Sequence, residues 1–356
     1  MHEKIAIITI TRGTNFGNRL QNYALQAVLE DHSVRPHTIR TADAVGNSLF
    51  LSKLKRLLRL PKVIITASRR RCYFKCFDIK YITIAKRIRY RGLNEHAFRD
   101  EYDAFIAGSD QIWNPTFWFN SDFDFITFAD PSKRYSYAAS FGISDIPQKY
   151  REAYAERLSQ MKEISVREES AKEIILKLTN RHAMVHVDPT MLLPAERYSK
   201  IEQAPRHLPD KYLLVYTLGV FSAEYKAFVA QVAKQKNLAV VELNESPDSA
   251  YYHIGPQHFL YMLHHAEYIC TDSFHGCAFS IIFHKQFTVF LRLGSENTMN
   301  SRIDTLLSKM ELEDRLWGKL SLDDSLKPIP YDAVEKCLEK ERVKACDYLR
   351  KIIQQW

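Results

Sequence analysis

Short unbroken apolar runs alternate along the chain with stretches whose apolar residues recur at helical spacing. The first run, Ile5–Ile10, is short and β-branched, which predicts a buried strand. The loop Arg12–Asn18 follows. Leu20, Tyr23, Ala24, Ala27 and Val28 then mark a helix, with Asn18 as its expected N-cap. Further strands are predicted at Tyr102–Ala107, Tyr135–Ala139, Glu163–Val166 and Met184–Val187, with a helix from about Glu168 through Leu178. After Pro189, Pro194 and the polar stretch Glu202–Pro209 a second series begins. Its strands are Tyr212–Thr217, Leu238–Leu243, Tyr268–Thr271 and Phe287–Leu291, and its helices Ser222–Lys234, Pro256–Ala266, His275–His284 and Asn300–Met310. A last amphipathic helix runs from Pro330 to Trp356.

Strand–helix alternation of this kind predicts an α/β protein of two Rossmann-like, doubly wound domains facing across a cleft. A chain of 356 residues is also too long for one typical core. The expected division is residues 1–200, with a basic insertion at about 50–92, then residues 201–330, then a terminal helix over 331–356 that packs back on the first domain.

Composition narrows the class of protein. A net charge of +8 suggests an anionic partner, and by itself leaves nucleic acid, an acidic membrane surface and a phosphorylated substrate open. The six cysteines form no C-x-x-C pair and no zinc pattern, so no metal is expected and a reducing compartment is. The N-terminal apolar run is too short for a signal peptide, and no window approaches the roughly 18 apolar residues of a membrane span. The expected location is the cytoplasm, peripheral on the membrane if attached at all. Lys53–Lys75 contains nine Lys or Arg and no Asp or Glu, interleaved with Leu and Ile. It reads equally as a solvated basic helix or as one lying on anionic lipid. Nucleic acid is disfavoured, because no binding motif accompanies the charge.

Four segments carry candidate chemistry. In Thr271–Gly276 a strand ends, Asp272 or Ser273 caps, and a small-residue helix begins with His275 and Gly276 in its first turn; such a start binds anions. Ser109, Asp110, Gln111 and Trp113 follow a strand, where Asp110 and Gln111 could orient hydroxyls and Trp113 could stack on a sugar, although taken alone the segment reads better as an ordinary Asx turn with an aromatic plug. The first loop supplies Arg12, Asn15, Asn18 and Arg19, with Gln21 just inside the helix, but matches no phosphate-loop motif. Arg167 stands at a strand end, and Arg292 and Arg302 lie near element ends of the second series. Each is either an anion ligand or a structural ion pair. His264-His265 reads as helix surface.

Asn15-Phe16-Gly17-Asn18 with Leu20–Gln26, Gly108–Trp113, Ser165–Glu168, Ser273–Gly276 and Ser301-Arg302-Ile303 occur in that order. Together they resemble the polysaccharide pyruvyl transferase family from about residue 5 to about 315, with a weak match over roughly 40–95. The resemblance implies a glycosyltransferase-B-like fold and transfer of pyruvate from phosphoenolpyruvate to two hydroxyls of a sugar. A galactose 4,6-ketal in a capsular or exopolysaccharide repeat is expected, built on a lipid-linked acceptor, with phosphoenolpyruvate as co-substrate and no cofactor. It implies an acceptor side in the first domain (Asn15, Asn18, Gln21, Ser109, Gln111, Trp113) and a donor side in the second. His275 and Asp110 are the expected catalytic residues, and Arg167, Ser273, Gly276, Arg292 and Arg302 the expected donor ligands. Some relatives carry arginine where Ser273 stands, so Arg292 or Arg302 must supply that charge here. The rival activities are a nucleotide-sugar glycosyltransferase and a non-catalytic sugar- or lipid-binding protein.

Overall fold

A computed structural model describes residues 4–42, 61–89, 100–244, 246, 249–292 and 300–355. The chain divides into two compact units. Met1–Ile64, Lys75–Leu192 and Arg342–Trp356 form the first; Ile65–Phe74 and Leu193–Glu341 form the second.

The first unit contains β1 (Lys4–Ile8), α1 (Phe16–Asp31), β2 (Arg35–Ala42), part of α2 (Pro61–Tyr81), β3 (Ile84–Arg89), β4 (Ala104–Ala107), β5 (Arg134–Ser136), α3 (Arg151–Ser159), β6 (Ser165–Val166), α4 (Glu169–Thr179) and β7 (Met184–Val185). Its main sheet is parallel, in the order β3-β2-β1-β4-β5. The chain therefore reverses direction across the sheet between β1 and β4, and the crevice at the C-terminal ends of these strands is where such sheets bind ligands. Ile5, Ala6 and Ile7 are fully buried, because a parallel strand is covered on both faces. Beneath the β4 end lies a core of Phe105, Trp113, Phe125, Phe141, Tyr154 and Ile175.

The second unit contains α5 (Ala195–Ser199), β8 (Tyr212–Tyr216), α6 (Ala223–Lys236), β9 (Ala239–Leu243), α7 (Pro256–His264), β10 (Tyr268–Thr271), α8 (Phe274–Ile282), β11 (Phe287–Val289), α9 (Ser301–Lys309), α10 (Leu322–Ser325) and the start of α11 (Tyr331–Ile353). Its sheet is again parallel, in the order β11-β10-β8-β9, with the reversal between β8 and β10.

Several details differ from the sequence reading. The division falls at Leu192 rather than at residue 200. Tyr198 of α5 is fully buried, edge-on to Phe279 with centroids 5.0 Å apart, so the segment after Leu192 packs with the second unit. The N-cap of α1 is Asn15, whose side chain accepts the Asn18 N–H at 3.1 Å; Asn18 is inside the helix. Strands β2 and β3 escape the periodicity test because they are polar: buried Thr38 on β2 is satisfied by Gln26 and Asn22 of α1. Within the basic insertion, residues 43–60 and 90–99 lie outside the described residues. The described part of α2 is docked on protein. Arg70 is buried and donates to the Tyr252 carbonyl at 2.9 Å, and Asp78 pairs with Arg19 and Arg40. Among the described residues no helix is long and apolar enough to cross a membrane.

Candidate active site

In the first unit, the last paired residues of β1 and β4 are Ile8 and Ala107, so the loops beginning at Thr9 and Gly108 flank the crevice. They are tied together. Thr9 Oγ1 donates to the Ser109 carbonyl at 3.0 Å, and buried Gln21 donates to Thr9 Oγ1 at 2.8 Å. Ser109 Oγ lies 2.8 Å from Asp188 Oδ2 and 2.6 Å from Arg167 Nη2. Arg167 and Asp188 form an ion pair at 3.0 Å with both side chains buried. The second oxygen of Asp188 accepts the N–H and hydroxyl of Thr190.

Two non-glycine residues of this corner, Ala138 and Asp110, have positive φ, and Asp110 is the one that bears chemistry. Its φ is +75°, the left-handed region that a non-glycine residue enters at a cost, on the order of 1–3 kcal/mol. The conformation is locked from both sides. Its Oδ1 accepts the Gln111 N–H at 2.8 Å, its carbonyl accepts the Ser140 N–H at 2.9 Å, and Arg167 Nη2 stands 4.0 Å from Oδ1. Strain held in place by several independent bonds at a strand's C-terminal end is a functional signal. Next door, Glu168 closes the following turn by accepting from Ser140 Oγ and the Phe141 N–H.

In the second unit the corner is β10–α8. Ser273 caps α8, with Oγ accepting the Gly276 N–H at 3.4 Å. Asp272 does a different job: its two carboxylate oxygens accept the Leu218 and Gly219 N–H groups, each at 2.7 Å, which pins the loop after β8 to the end of β10. Arg292 Nη2 donates to the Asp272 carbonyl at 3.3 Å, and its Nε lies 3.8 Å from Asp272 Oδ2. Glycine is needed at 219, because a Cβ there would sit 2.5 Å from Arg292 Cγ. Glycine is needed equally at 276, where a Cβ would meet Thr271 Oγ1 at 2.3 Å. His275 sits in the first turn of α8, 7% exposed, with its ring edge-on to Phe274. Burial pushes the thiols of Cys270 and Cys277 far up, so neither is a nucleophile.

The structure thus sorts the expected site residues. His275, Ser273, Gly276 and Arg292 gather around the β10 end, and Asp110, Ser109, Gln111 and Arg167 around the β4 end. Gly276 serves close helix–strand packing. Arg302 is buried in the first turn of α9. Asn15 is an exposed cap, and Asn18 and Gln21 are buried in α1. Arg167 is no surface cation here; a donor carboxylate would have to compete with Asp188 for it. The stacking role expected of Trp113 is corrected: its ring is fully buried, stacked on Phe125, with Nε1 donating to the Asp124 carbonyl. It plugs the core and offers no face to a sugar. Asp188 and Gly219 escaped the sequence reading, although Asp188-Pro189-Thr190 directly after a strand marks a turn at the ligand edge. Among the described residues Glu202, His264 and His265 could hold a metal. Both histidines contact the Glu202 carboxylate, and they lie at the N-terminal end of β10, away from its site end.

Two parallel, doubly wound sheets, each with a pinned polar corner at its reversal point, define a glycosyltransferase-B-like enzyme fold. Solved structures with this fold include UDP-GlcNAc 2-epimerase of Neisseria meningitidis bound to UDP-GlcNAc, at 12% identity and TM-score 0.52 over 99% of this chain and 100% of that one. UDP-GlcNAc 2-epimerase from Methanocaldococcus jannaschii is similar at 14% identity and TM-score 0.51, again over 99% and 100% of the two chains. At such identity the likeness concerns the fold alone. No curated protein matches the chain. The family model for polysaccharide pyruvyl transferase matches residues 15–292, most of the chain, including both corners. The protein belongs to the polysaccharide pyruvyl transferase family and is a transferase.

Proposed function

We propose that this transferase moves pyruvate from phosphoenolpyruvate onto two hydroxyls of a galactose-type residue, forming a 4,6-ketal in a capsular or exopolysaccharide repeat and releasing phosphate. The observation that carries the donor half is the β10–α8 corner. A helix start with a histidine in its first turn and an arginine held beside it suits a small ligand bearing a phosphate and a carboxylate. Ser273 supplies the cap rather than a charge, so Arg292 is the cation of this corner.

The chemistry balances without a redox step. A proton added to the methylene carbon of phosphoenolpyruvate makes the neighbouring carbon electrophilic. One sugar hydroxyl adds there, phosphate leaves with the bonding pair, and the second hydroxyl closes the ring. Of the two hydroxyl protons, one restores the acid and the other leaves on phosphate. We assign His275 as the proton donor or phosphate partner and Asp110 as the base that takes a hydroxyl proton. The Gln111 and Ser140 N–H groups, with Arg167 nearby, hold Asp110 in its strained conformation. This reading uses no cofactor. The acceptor is a lipid-linked oligosaccharide at the cytoplasmic membrane face, and the exposed cations Arg69, Arg71 and Lys75 of the basic insertion, but not the buried Arg70, meet anionic lipid.

Thermal-shift titration separates the rival activities. Phosphoenolpyruvate should raise the melting temperature, and Arg292→Ala should abolish that rise. Stabilisation by a uridine or guanosine diphosphate sugar, with none by phosphoenolpyruvate, would replace this reading with a glycosyltransferase.

A further inference from the structure

With Trp113 buried, the acceptor half lacks the aromatic surface on which a sugar ring ordinarily rests. The same loop supplies one five residues later. Trp118 is 82% exposed, whereas most large apolar side chains of the unit are buried. Its ring is not loose. Phe119 meets it edge-on with centroids 5.7 Å apart, and the Arg12 guanidinium lies 5.3 Å from the ring centroids of both.

The base of the loop is firmly held. Asn114 Oδ1 accepts the Thr116 N–H at 2.9 Å, Asn120 Nδ2 donates to the Ile112 carbonyl at 3.0 Å, and Tyr154 Oη donates to Asn120 Oδ1 at 3.0 Å. Arg12 comes from the loop after β1 and Trp118 from the loop after β4. These are the two strands that flank the reversal point, and the β4 loop begins with Ser109–Asp110. The cation–π contact therefore joins the two walls of the crevice.

We propose that Trp118 and Arg12 form the acceptor-sugar subsite, with a pyranose ring lying on the indole and its hydroxyls within reach of the guanidinium. The proposal rests on the acceptor half of the function proposed above. The C–H bonds on one face of a galactose-type ring suit an apolar aromatic surface, while its rim of hydroxyls suits a cationic donor set. The loop would set the ring so that a hydroxyl pair meets Asp110.

The test uses the full chain and methyl β-galactopyranoside as probe. Saturation-transfer NMR measures sugar binding without any turnover, and the ketal assay measures KM for both substrates. Trp118→Ala should weaken galactoside binding and raise its KM about tenfold, equivalent to about 1.4 kcal/mol, and leave the KM for phosphoenolpyruvate within about twofold. Trp118→Phe should fall between, and both variants should melt as the native protein does. Sugar binding that is unchanged in Trp118→Ala overturns the proposal. So does a variant that loses binding to anionic vesicles and keeps sugar binding, which would make Trp118 a membrane contact. The two readings fail separately: Trp118-dependent sugar binding without ketal formation removes only the pyruvyl transfer, and ketal formation with an unchanged galactoside KM removes only the subsite.

Discussion

Gly276→Ala should destabilise the second unit through one identifiable collision. A Cβ at 276 would lie 2.3 Å from Thr271 Oγ1, 3.0 Å from its Cβ and 3.1 Å from its Cγ2. The threonine cannot turn aside cheaply. Its Oγ1 donates to the Tyr216 carbonyl at 2.6 Å and accepts the Ser273 N–H at 3.0 Å, both buried. Either α8 moves off the sheet or those bonds break. Overpacking of this kind costs roughly 1–3 kcal/mol, and each buried hydrogen bond lost about 1 kcal/mol. Alanine regains up to about 1 kcal/mol of helix propensity over glycine. The net expectation is a loss of about 2–3 kcal/mol. Urea unfolding of Gly276→Ala, Thr271→Ala and the double variant checks the cause as well as the size. Removing Oγ1 and Cγ2 relieves the collision, so the double variant should lose about 1 kcal/mol less than the sum of the singles. A Gly276→Ala variant within about 0.5 kcal/mol of wild type, with additive singles, would refute the packing argument.

Other predictions concern charge and strain. Asp188→Ala leaves the buried Arg167 guanidinium without its 3.0 Å partner and should cost about 3 kcal/mol by urea unfolding; a change under about 1 kcal/mol would show the pair to be dispensable. Asp110→Asn keeps a side chain that tolerates φ +75° and removes the proposed base, so turnover should fall about a hundredfold or more while the melting temperature holds. Wild-type turnover in that variant would end the assignment of Asp110 as base. His258 accepts the Gly255 N–H through Nδ1 at the start of α7, and burial, reinforced by His253, pushes its pKa down to about 4 from the ordinary 6.5. A lowered folded-state pKa means its stabilisation is complete above pH 6.5 and is lost as pH falls toward about 4. Urea midpoints of His258→Asn should therefore fall less than those of wild type across that window. Parallel slopes would contradict the assigned cause.

Buried parallel strands announce themselves in a sequence, because covering both faces demands unbroken apolar runs. Tyr268–Thr271 was legible to the residue, and β1, β4 and β8 to within two or three residues. β2 was not, because Thr38 is buried through hydrogen bonds to Gln26 and Asn22 rather than by being apolar. The division between units was misplaced for a similar reason: Pro194 and the polar stretch after it resemble a linker, while Tyr198 anchors the segment between them to the second unit. At the site, the strand-end corners were readable because chemistry-bearing residues follow strand signals directly. What was not readable is which side chain faces outward. Trp113 and Trp118 lie in one loop with similar neighbours, and only the folded loop buries the first and exposes the second. Asp110's backbone strain and Asp188's partnership with Arg167 are likewise products of tertiary contact, with no local sequence signal.

The most direct measurement is mass spectrometry of methyl β-galactopyranoside incubated with the full-length enzyme and phosphoenolpyruvate, with phosphate assayed in parallel. A cyclic pyruvate ketal on the galactoside, one phosphate released per ketal, and loss of both products in His275→Gln and Asp110→Asn is the predicted result. An unmodified sugar with intact phosphoenolpyruvate, alongside transfer from a nucleotide sugar under the same conditions, would contradict it.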